Sequence, residues 1–266
     1  MSAVAVASTH AADASLAIRG LRIAVAGRDL IAGLDLDLRP GQCWAMLGRN
    51  GVGKTSLLLA LAALRQPAAG RVRVDGRELS TLPRREVARH VGILLQEEPE
   101  LFWGTAADYV ALGAHARDGL APGALDASVR TALAAVDLVQ HAAQSYRTLS
   151  GGERQRARLA QLLVQAPRYM LLDEPLTHLD LRHQLATMAL LARLAAQGHG
   201  VMMALHEPWL AARYCDYALL LYDSSRFSSG PARGLLARES LERLYGCPLE
   251  AFADGRAPAP SASDRT

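Results

Sequence analysis

Short apolar runs separated by amphipathic stretches dominate the pattern of hydrophobic and polar positions along this chain. The runs predict buried strands at 43–47, 91–95, 169–172 and 201–205. Helical patterns separate them, and this alternation predicts an α/β fold with a parallel sheet covered on both faces. Three further strand patterns predict a mostly antiparallel β patch, at 16–25, 34–38 and 71–74.

Between the second and third buried strands no strand pattern occurs. The stretch contains, in order, a helix opened by Thr105 with Asp108 three residues on, a Pro/Gly turn at 119–123, a helix near 125–139 and a helix from 151. We therefore predict a helical subdomain at about 97–166, inserted into the α/β core.

Composition narrows the class of protein. The chain has 266 residues, a formal charge of +3 and 5% aromatic residues, which does not favour nucleic acid as a partner. Its three cysteines lack the spacing of a metal site and are expected to be reduced thiols. No apolar run reaches the roughly 18 residues of a spanning helix. We predict one domain at 16–254, a disordered lead at 1–15 without signal-peptide features, and a Pro/Ala/Ser-rich disordered tail at 255–266.

One lysine stands among 29 basic residues, and it lies in the sequence GRNGVGKT at 48–55. This sequence fits G-x-x-x-x-G-K-[ST], follows a predicted buried strand and opens a predicted helix at 54–64, which is the context of a phosphate-binding loop. Lys54 would bridge the β- and γ-phosphates and the Thr55 hydroxyl would bind Mg²⁺. The alternative is a glycine-rich turn without a ligand. The predicted phosphate-binding residues are Gly48, Asn50, Gly51, Gly53, Lys54, Thr55 and Ser56.

Polar residues follow three of the buried strands at the edge where the phosphate loop begins. Asp173 is predicted to bind Mg²⁺ and Glu174 to act on the water that attacks the γ-phosphate. His206 is predicted beside the nucleotide, and Gln96 is predicted to touch Mg²⁺ or the attacking water. Each has a plain alternative: solvated acids at a strand end, a structural histidine and a loop glutamine. The neighbouring phosphate loop favours catalytic roles for Glu174, His206 and Gln96, and metal binding by Thr55, Gln96 and Asp173.

A second glycine pair occurs in LSGGERQR at 149–156. Ser150 and Glu153 form the S-x-x-E pattern of a capping box, so Ser150 could be only a helix N-cap. A capped helix start whose Gly151 and Gly152 carry no side chains is also a place that a phosphate can approach closely. The two interpretations are compatible.

These motifs, with THLD at 177–180, come in the order and spacing of the ATP-binding cassette (ABC) ATPases, which the chain resembles over about residues 16–222. The resemblance implies a P-loop NTPase fold with a RecA-like parallel-sheet core, an antiparallel β subdomain and an inserted α-helical subdomain, and it implies ATP and Mg²⁺ as cofactors. It also implies a head-to-tail homodimer, in which the signature residues Ser150, Gly151 and Gly152 of one copy close on the ATP held by the phosphate loop of the other. Asp180 is likewise expected to be a nucleotide-binding residue. The family usually carries an adenine-stacking aromatic where this chain has Val25.

Four segments most resemble the ATPase subunits of importers for iron-siderophores, haem and vitamin B12. They are DGRELSTLPRREVARHVGILLQ at 75–96, VALGAHARDG at 110–119, THLDLRHQ at 177–184 and LAARYCD at 210–216. The resemblance implies peripheral attachment to integral membrane permease subunits at the cytoplasmic face of the plasma membrane, served indirectly by an external solute-binding protein. In such importers the loop at 97–104 receives a permease helix. Phe102 and Trp103 would then be exposed before docking, or would pack into the subdomain's own core.

Two other functions fit parts of the pattern. A soluble ATPase of iron-sulfur cluster assembly is also a single small cassette, but its signature usually continues with lysines where this chain has Arg154, Gln155 and Arg156. A regulatory nucleotide-binding module would lack the hydrolytic residues, which are present here. Association with a membrane partner separates the transport function from the soluble one.

Overall fold

The computed structural model describes residues 14–96, 102–117, 121–223 and 226–248. These residues form ten strands: β1 (Leu16–Val25), β2 (Arg28–Leu38), β3 (Cys43–Gly48), β4 (Ala69–Val74), β5 (Arg77–Glu78), β6 (Val91–Leu94), β7 (Tyr169–Asp173), β8 (Gly200–Ala204), β9 (Tyr217–Leu221) and β10 (Phe227–Pro231). The same residues form nine α-helices: α1 (Lys54–Leu61), α2 (Arg84–His90), α3 (Ala106–Ala111), α4 (Pro122–Ala135), α5 (Gly151–Gln165), α6 (Leu181–Ala196), α7 (Pro208–Tyr214), α8 (Ala232–Leu235) and α9 (Arg238–Tyr245).

The strands build two sheets. A four-stranded antiparallel sheet has the order β2-β1-β4-β5, and a six-stranded sheet has the order β10-β9-β3-β8-β7-β6. All neighbours in the larger sheet are parallel except β10, which pairs antiparallel with β9 at one edge. The predicted α/β fold with a separate antiparallel patch is confirmed.

The central strands of the larger sheet are buried on both faces, and alternate residues face two different cores. In β3, Cys43, Ala45 and Leu47 join the core that includes the helical subdomain, whereas Trp44 and Met46 join the core shared with the antiparallel sheet and α1. Strands β7 and β8 divide in the same way. The sheet therefore holds its strand ends rigidly between two packed layers.

Helices α3 to α5 form the helical subdomain. Thr105 caps α3, and its backbone N–H donates to Asp108 in the predicted capping box. Phe102 is half-buried against Tyr109, with ring centroids 5.4 Å apart, so it packs into the subdomain core. Trp103 is 81% exposed, and the Arg147 guanidinium lies 4.2 Å from its ring centroid. The two aromatics thus have opposite environments, while 97–101 lies outside the described residues.

Several element limits differ from the predictions. The helix predicted at 54–64 ends at Leu61, and the helix predicted near 125–139 is α4. Pro122 and Gly123, predicted as part of a turn, are the first residues of α4, because proline at a helix start loses no hydrogen bond. The patterns did not predict β5, β9 or β10. The lead, except for residues 14 and 15, and the whole tail lie outside the described residues, and the domain limits 16–254 and 97–166 stay predictions.

Candidate nucleotide-binding site

The phosphate loop leaves a fully buried strand and turns into α1. Gly53 begins this helix with φ +111°, and a Cβ there would lie 3.0 Å from the Leu30 Cβ, so the turn requires glycine. The first turn of α1 carries no acidic residue. Its backbone N–H groups and positive dipole end therefore remain available to an anion.

Lys54 is folded onto its own loop. Its Nζ donates to the Gly48 carbonyl at 2.7 Å and to the Arg49 carbonyl at 3.4 Å, and the residue is only 6% exposed. Burial lowers the pKa of Lys54, and the nearby charges of Glu174 and Asp173 oppose that effect. A compact ammonium fits this cradle, which a broader guanidinium would not.

Asp173 lies at the end of β7, behind the cleft, with 0% exposure. Burial raises its pKa, and among the described residues no hydrogen bond of normal geometry reaches either carboxylate oxygen. Thr55 nevertheless lies near enough to favour the ionised form. A buried carboxylate with unused oxygens beside a hydroxyl is a donor set that Mg²⁺ fits. Thr55 and Asp173 are the side chains that would hold the ion.

Glu174 connects two of the predicted catalytic residues. The Gln96 amide donates to Glu174 Oε2 at 2.9 Å, and His206 Nε2 lies 2.7 Å from Glu174 Oε1. The Glu174 backbone has φ +49°, a left-handed conformation that costs free energy in a non-glycine residue. Strand ends β6, β7 and β8 place the three side chains together, as the adjacency of parallel strands predicts.

These groups surround one open cleft of 340 Å³. Every predicted phosphate-binding residue except Gly48 lines it, together with Gln96, Glu174 and His206. Val25, at 37% exposure, and Leu30 form its apolar wall. This wall of the cleft is therefore aliphatic.

The signature residues lie in a different cleft, of 420 Å³. Ser150 accepts from the Glu153 N–H at 3.3 Å, and the Ser150 N–H donates to Glu153 Oε2 at 2.7 Å, so the predicted capping box is confirmed. A Cβ on Gly152 would lie 2.8 Å from the His178 carbonyl, which makes glycine necessary there. Asp180 lines this cleft too and caps α6 by accepting from the His183 N–H at 2.9 Å.

Comparison with known proteins identifies the family. The model of the family described as ABC transporter matches residues 31–177. The chain belongs to the ABC transporter ATPases.

The hemin import ATP-binding protein HmuV of Rhizobium meliloti is 36% identical over 235 residues, which cover 85% of this chain and 89% of that protein. HmuV of Pseudomonas entomophila is 38% identical over 238 residues, covering 87% and 92% of the two chains. An inward-facing metal-chelate type ABC transporter has a chain with a TM-score of 0.75 and 27% identity, covering 88% of this chain and 90% of its own length.

The ABC ATPase fold thus gathers the predicted residues into two groups. The phosphate loop, Gln96, Glu174 and His206 share one cleft with Asp173 behind it, whereas Ser150, Gly151, Gly152 and Asp180 line the other. Among the described residues, the two clefts have no lining residue in common.

Sequence reasoning missed three further residues of this ABC ATPase: Gln155 and Arg158, which are buried in α5, and His178, which packs on the glycine pair. The motif quoted for the signature includes Gln155, but nothing in it distinguishes a buried polar residue from a solvated one.

No helix in the described part of the ABC ATPase is both long and apolar enough to cross a membrane.

Proposed function

We propose that this ABC ATPase powers the import of a metal-chelate solute of the haem type through separate membrane permease subunits. The similarity to hemin import ATP-binding proteins, over most of both chains, supports the solute class. The similarity to a metal-chelate type transporter supports the same class. Docking to a permease would place the chain at the cytoplasmic face of the membrane, with an external solute-binding protein acting on the far side.

The separation of the two clefts is the observation that supports a head-to-tail homodimer. One cleft has Lys54, Glu174 and His206, and the other has a capped helix start with two bare glycines. An anion can approach the second cleft closely, but the described residues that line it include no lysine. Two copies arranged head to tail would complete each other's sites.

Within each site the side chains have distinct roles. Lys54 neutralises phosphate charge, and the N-terminus of α1 adds backbone donors. Glu174 orients the attacking water and accepts its proton, while Gln96 and His206 hold the carboxylate at 2.9 and 2.7 Å. Mg²⁺, held by Thr55 and Asp173 with Gln96 nearby, would supply charge neutralisation at the phosphates.

Trp103 supports docking to a membrane partner. It is the most exposed large apolar side chain in the described residues, and it lies seven positions after Gln96 in the chain. An exposed tryptophan beside an arginine is typical of an anchor at a protein interface. The permease would cover it.

The variant Gly151→Asp tests the dimeric site. It places a negative charge where the partner's phosphate would bind, so ATP hydrolysis should fall at least about 100-fold while ATP binding to the monomer changes less than about twofold. Turnover and equilibrium binding of a fluorescent ATP analogue measure the two effects.

Gly123→Asp is the matched control, because Gly123 also lies in the first turn of a helix of the same subdomain and a Cβ there meets nothing within 4 Å. It should retain wild-type hydrolysis. Normal hydrolysis by Gly151→Asp would refute the shared site.

The transport function is tested by purification from the native membrane. We expect an integral membrane partner to co-purify, and the external binding protein of that system to hold a metal chelate. Purification free of any membrane partner would instead support a soluble ATPase.

A further inference from the structure

Two buried polar side chains connect the signature helix α5 to the hydrolytic site. Gln155 is 5% exposed and Arg158 is 8% exposed, one helical turn apart on the same face. The Arg158 guanidinium donates to the Gln155 side-chain oxygen at 3.1 Å. Both residues therefore act as one polar unit inside the interface between α5 and the sheet.

This unit binds the backbone at both members of the Gln96–Glu174 pair. Arg158 donates to the Gln96 carbonyl at 3.2 Å and also to the Leu95 carbonyl. The Gln155 amide donates to the Glu174 carbonyl at 3.4 Å. Because the Gln96 side chain donates to the Glu174 carboxylate, the four residues form a closed ring of hydrogen bonds.

The ring of hydrogen bonds includes a residue whose backbone conformation is unfavourable. Glu174 has φ +49°, and such a conformation persists only when surrounding contacts hold it. Its carbonyl accepts from Gln155 and from the Thr177 N–H at 3.2 Å. A buried guanidinium is costly to desolvate, and its hydrogen bonds to the Gln96 and Leu95 carbonyls and to Gln155 offset that cost. The arginine therefore fixes the relative positions of these groups.

We propose that Arg158 and Gln155 are positioning residues that couple the signature helix to the Glu174–Gln96 pair. Ser150 caps the start of the same helix, five residues before Gln155 and eight before Arg158. A phosphate bound at that end would act on the ring through the helix. The signature motif then acts on the hydrolytic carboxylate of its own chain as well as on the partner's nucleotide. This inference rests on the proposed role of Glu174.

The test measures ATPase kinetics, ATP binding and thermal unfolding of the full chain carrying Arg158→Met, Arg158→Lys or Gln155→Leu. A misplaced carboxylate lowers kcat without weakening nucleotide binding, so Arg158→Met should lose about 10- to 100-fold in kcat while KM for ATP changes less than about twofold. Arg158→Lys, which can still reach a carbonyl, should recover part of the loss. Gln155→Leu should show the same pattern if Arg158→Met fails to fold.

Arg117→Met is the matched control, since Arg117 donates to the Val164 carbonyl at the opposite end of α5, at 3.3 Å. It should lower the melting temperature without changing kcat. Wild-type kcat in both Arg158→Met and Gln155→Leu, or losses that only follow the melting temperature, would overturn the positioning role.

The variant Glu174→Gln distinguishes the proposed catalytic role of Glu174 from the positioning role of Arg158 and Gln155. In that background, Arg158→Met should cause no further loss of turnover, because the carboxylate that it positions is gone. Wild-type turnover by Glu174→Gln alone would refute the proposed role of Glu174. Abolished turnover in Glu174→Gln together with wild-type kcat in both Arg158→Met and Gln155→Leu would refute only the positioning role of Arg158 and Gln155.

Discussion

At the residue scale, the buried carboxylate of Asp173 is held in an environment that disfavours its charge. Burial raises its pKa, and the Thr55 and Lys54 side chains only partly offset this effect. A raised carboxyl pKa means that ionisation of Asp173 destabilises the fold as the pH rises through that pKa. A cation held by the carboxylate would remove this penalty.

We therefore expect Asp173→Asn to be more stable than the wild type at pH 7 without nucleotide and Mg²⁺, by roughly 1 kcal/mol. The advantage should shrink at acid pH, where the wild-type carboxyl is protonated. Addition of ATP and Mg²⁺ should raise the melting temperature of the wild type more than that of the variant. Thermal unfolding across pH, with and without both ligands, measures all three effects.

Asp75→Asn is the control, because Asp75 is paired with Arg168 at 2.8 Å. Its neutralisation removes a favourable contact, so it should not stabilise the protein. A destabilised Asp173→Asn in the absence of ligands would contradict the proposed cation site.

At the element scale, the start of α5 depends on the reciprocal bonds between Ser150 and Glu153. The Ser150 backbone N–H, with its hydroxyl and the nearby His141 and Arg156, holds the pKa of Glu153 below its ordinary value of 4.5. A lowered carboxyl pKa contributes stability above the unfolded pKa, and that stability is lost as the pH falls through the folded value.

Glu153→Ala should accordingly lower the free energy of unfolding by about 1 kcal/mol at pH 7. The difference from the wild type should shrink as the pH falls below 4.5 and disappear below the lowered pKa of Glu153 in the folded protein. Urea unfolding at several pH values gives both numbers. Glu239→Ala, in the first turn of α9 where no side chain caps the helix, should cost only a few tenths of a kcal/mol. Equal effects of the two substitutions would argue against the cap.

Sequence patterns predicted some elements better than others for physical reasons. Strands β3, β7 and β8 are buried on both faces, so their apolar runs are unmistakable. Strand β10 reads FSSGP, since an edge strand that pairs on one side needs few apolar residues. The limits of α4 were shifted because proline and glycine also occur in turns.

The residues of the candidate site also differ in how well the sequence predicted them. Lys54, Glu174 and His206 occupy positions that a motif or a strand end marks, so the sequence predicted that they would meet. Arg158 lies within an arginine-rich helix, where sequence alone cannot separate a guanidinium that binds buried carbonyls from one that faces water. Only its 8% exposure makes that distinction.

At the scale of the whole molecule, Glu174 should control whether two copies separate. Glu174→Gln keeps the shape of the side chain and its contacts with Gln96 and His206 but removes the proton acceptor. We expect ATP hydrolysis to fall at least about 100-fold and a dimer to accumulate with ATP and Mg²⁺. Turnover assays and sedimentation velocity measure the two results.

Lys54→Ala in the Glu174→Gln background is the control, because it should abolish phosphate binding and with it the dimer. Undiminished turnover of Glu174→Gln would remove Glu174 from catalysis. A Glu174→Gln protein that stays monomeric with ATP would contradict the sandwiched arrangement.

The separation of the two clefts also affects how the rate of ATP hydrolysis depends on protein concentration. In the proposed arrangement an active centre exists only after two molecules meet, so the rate per molecule in dilute solution rises with protein concentration. A permease that binds two copies replaces the bulk concentration by a local one, which tethering places in the millimolar range or so. Hydrolysis would then be fast where a permease has gathered the pair and slow wherever single chains diffuse, and little ATP would be lost away from the membrane.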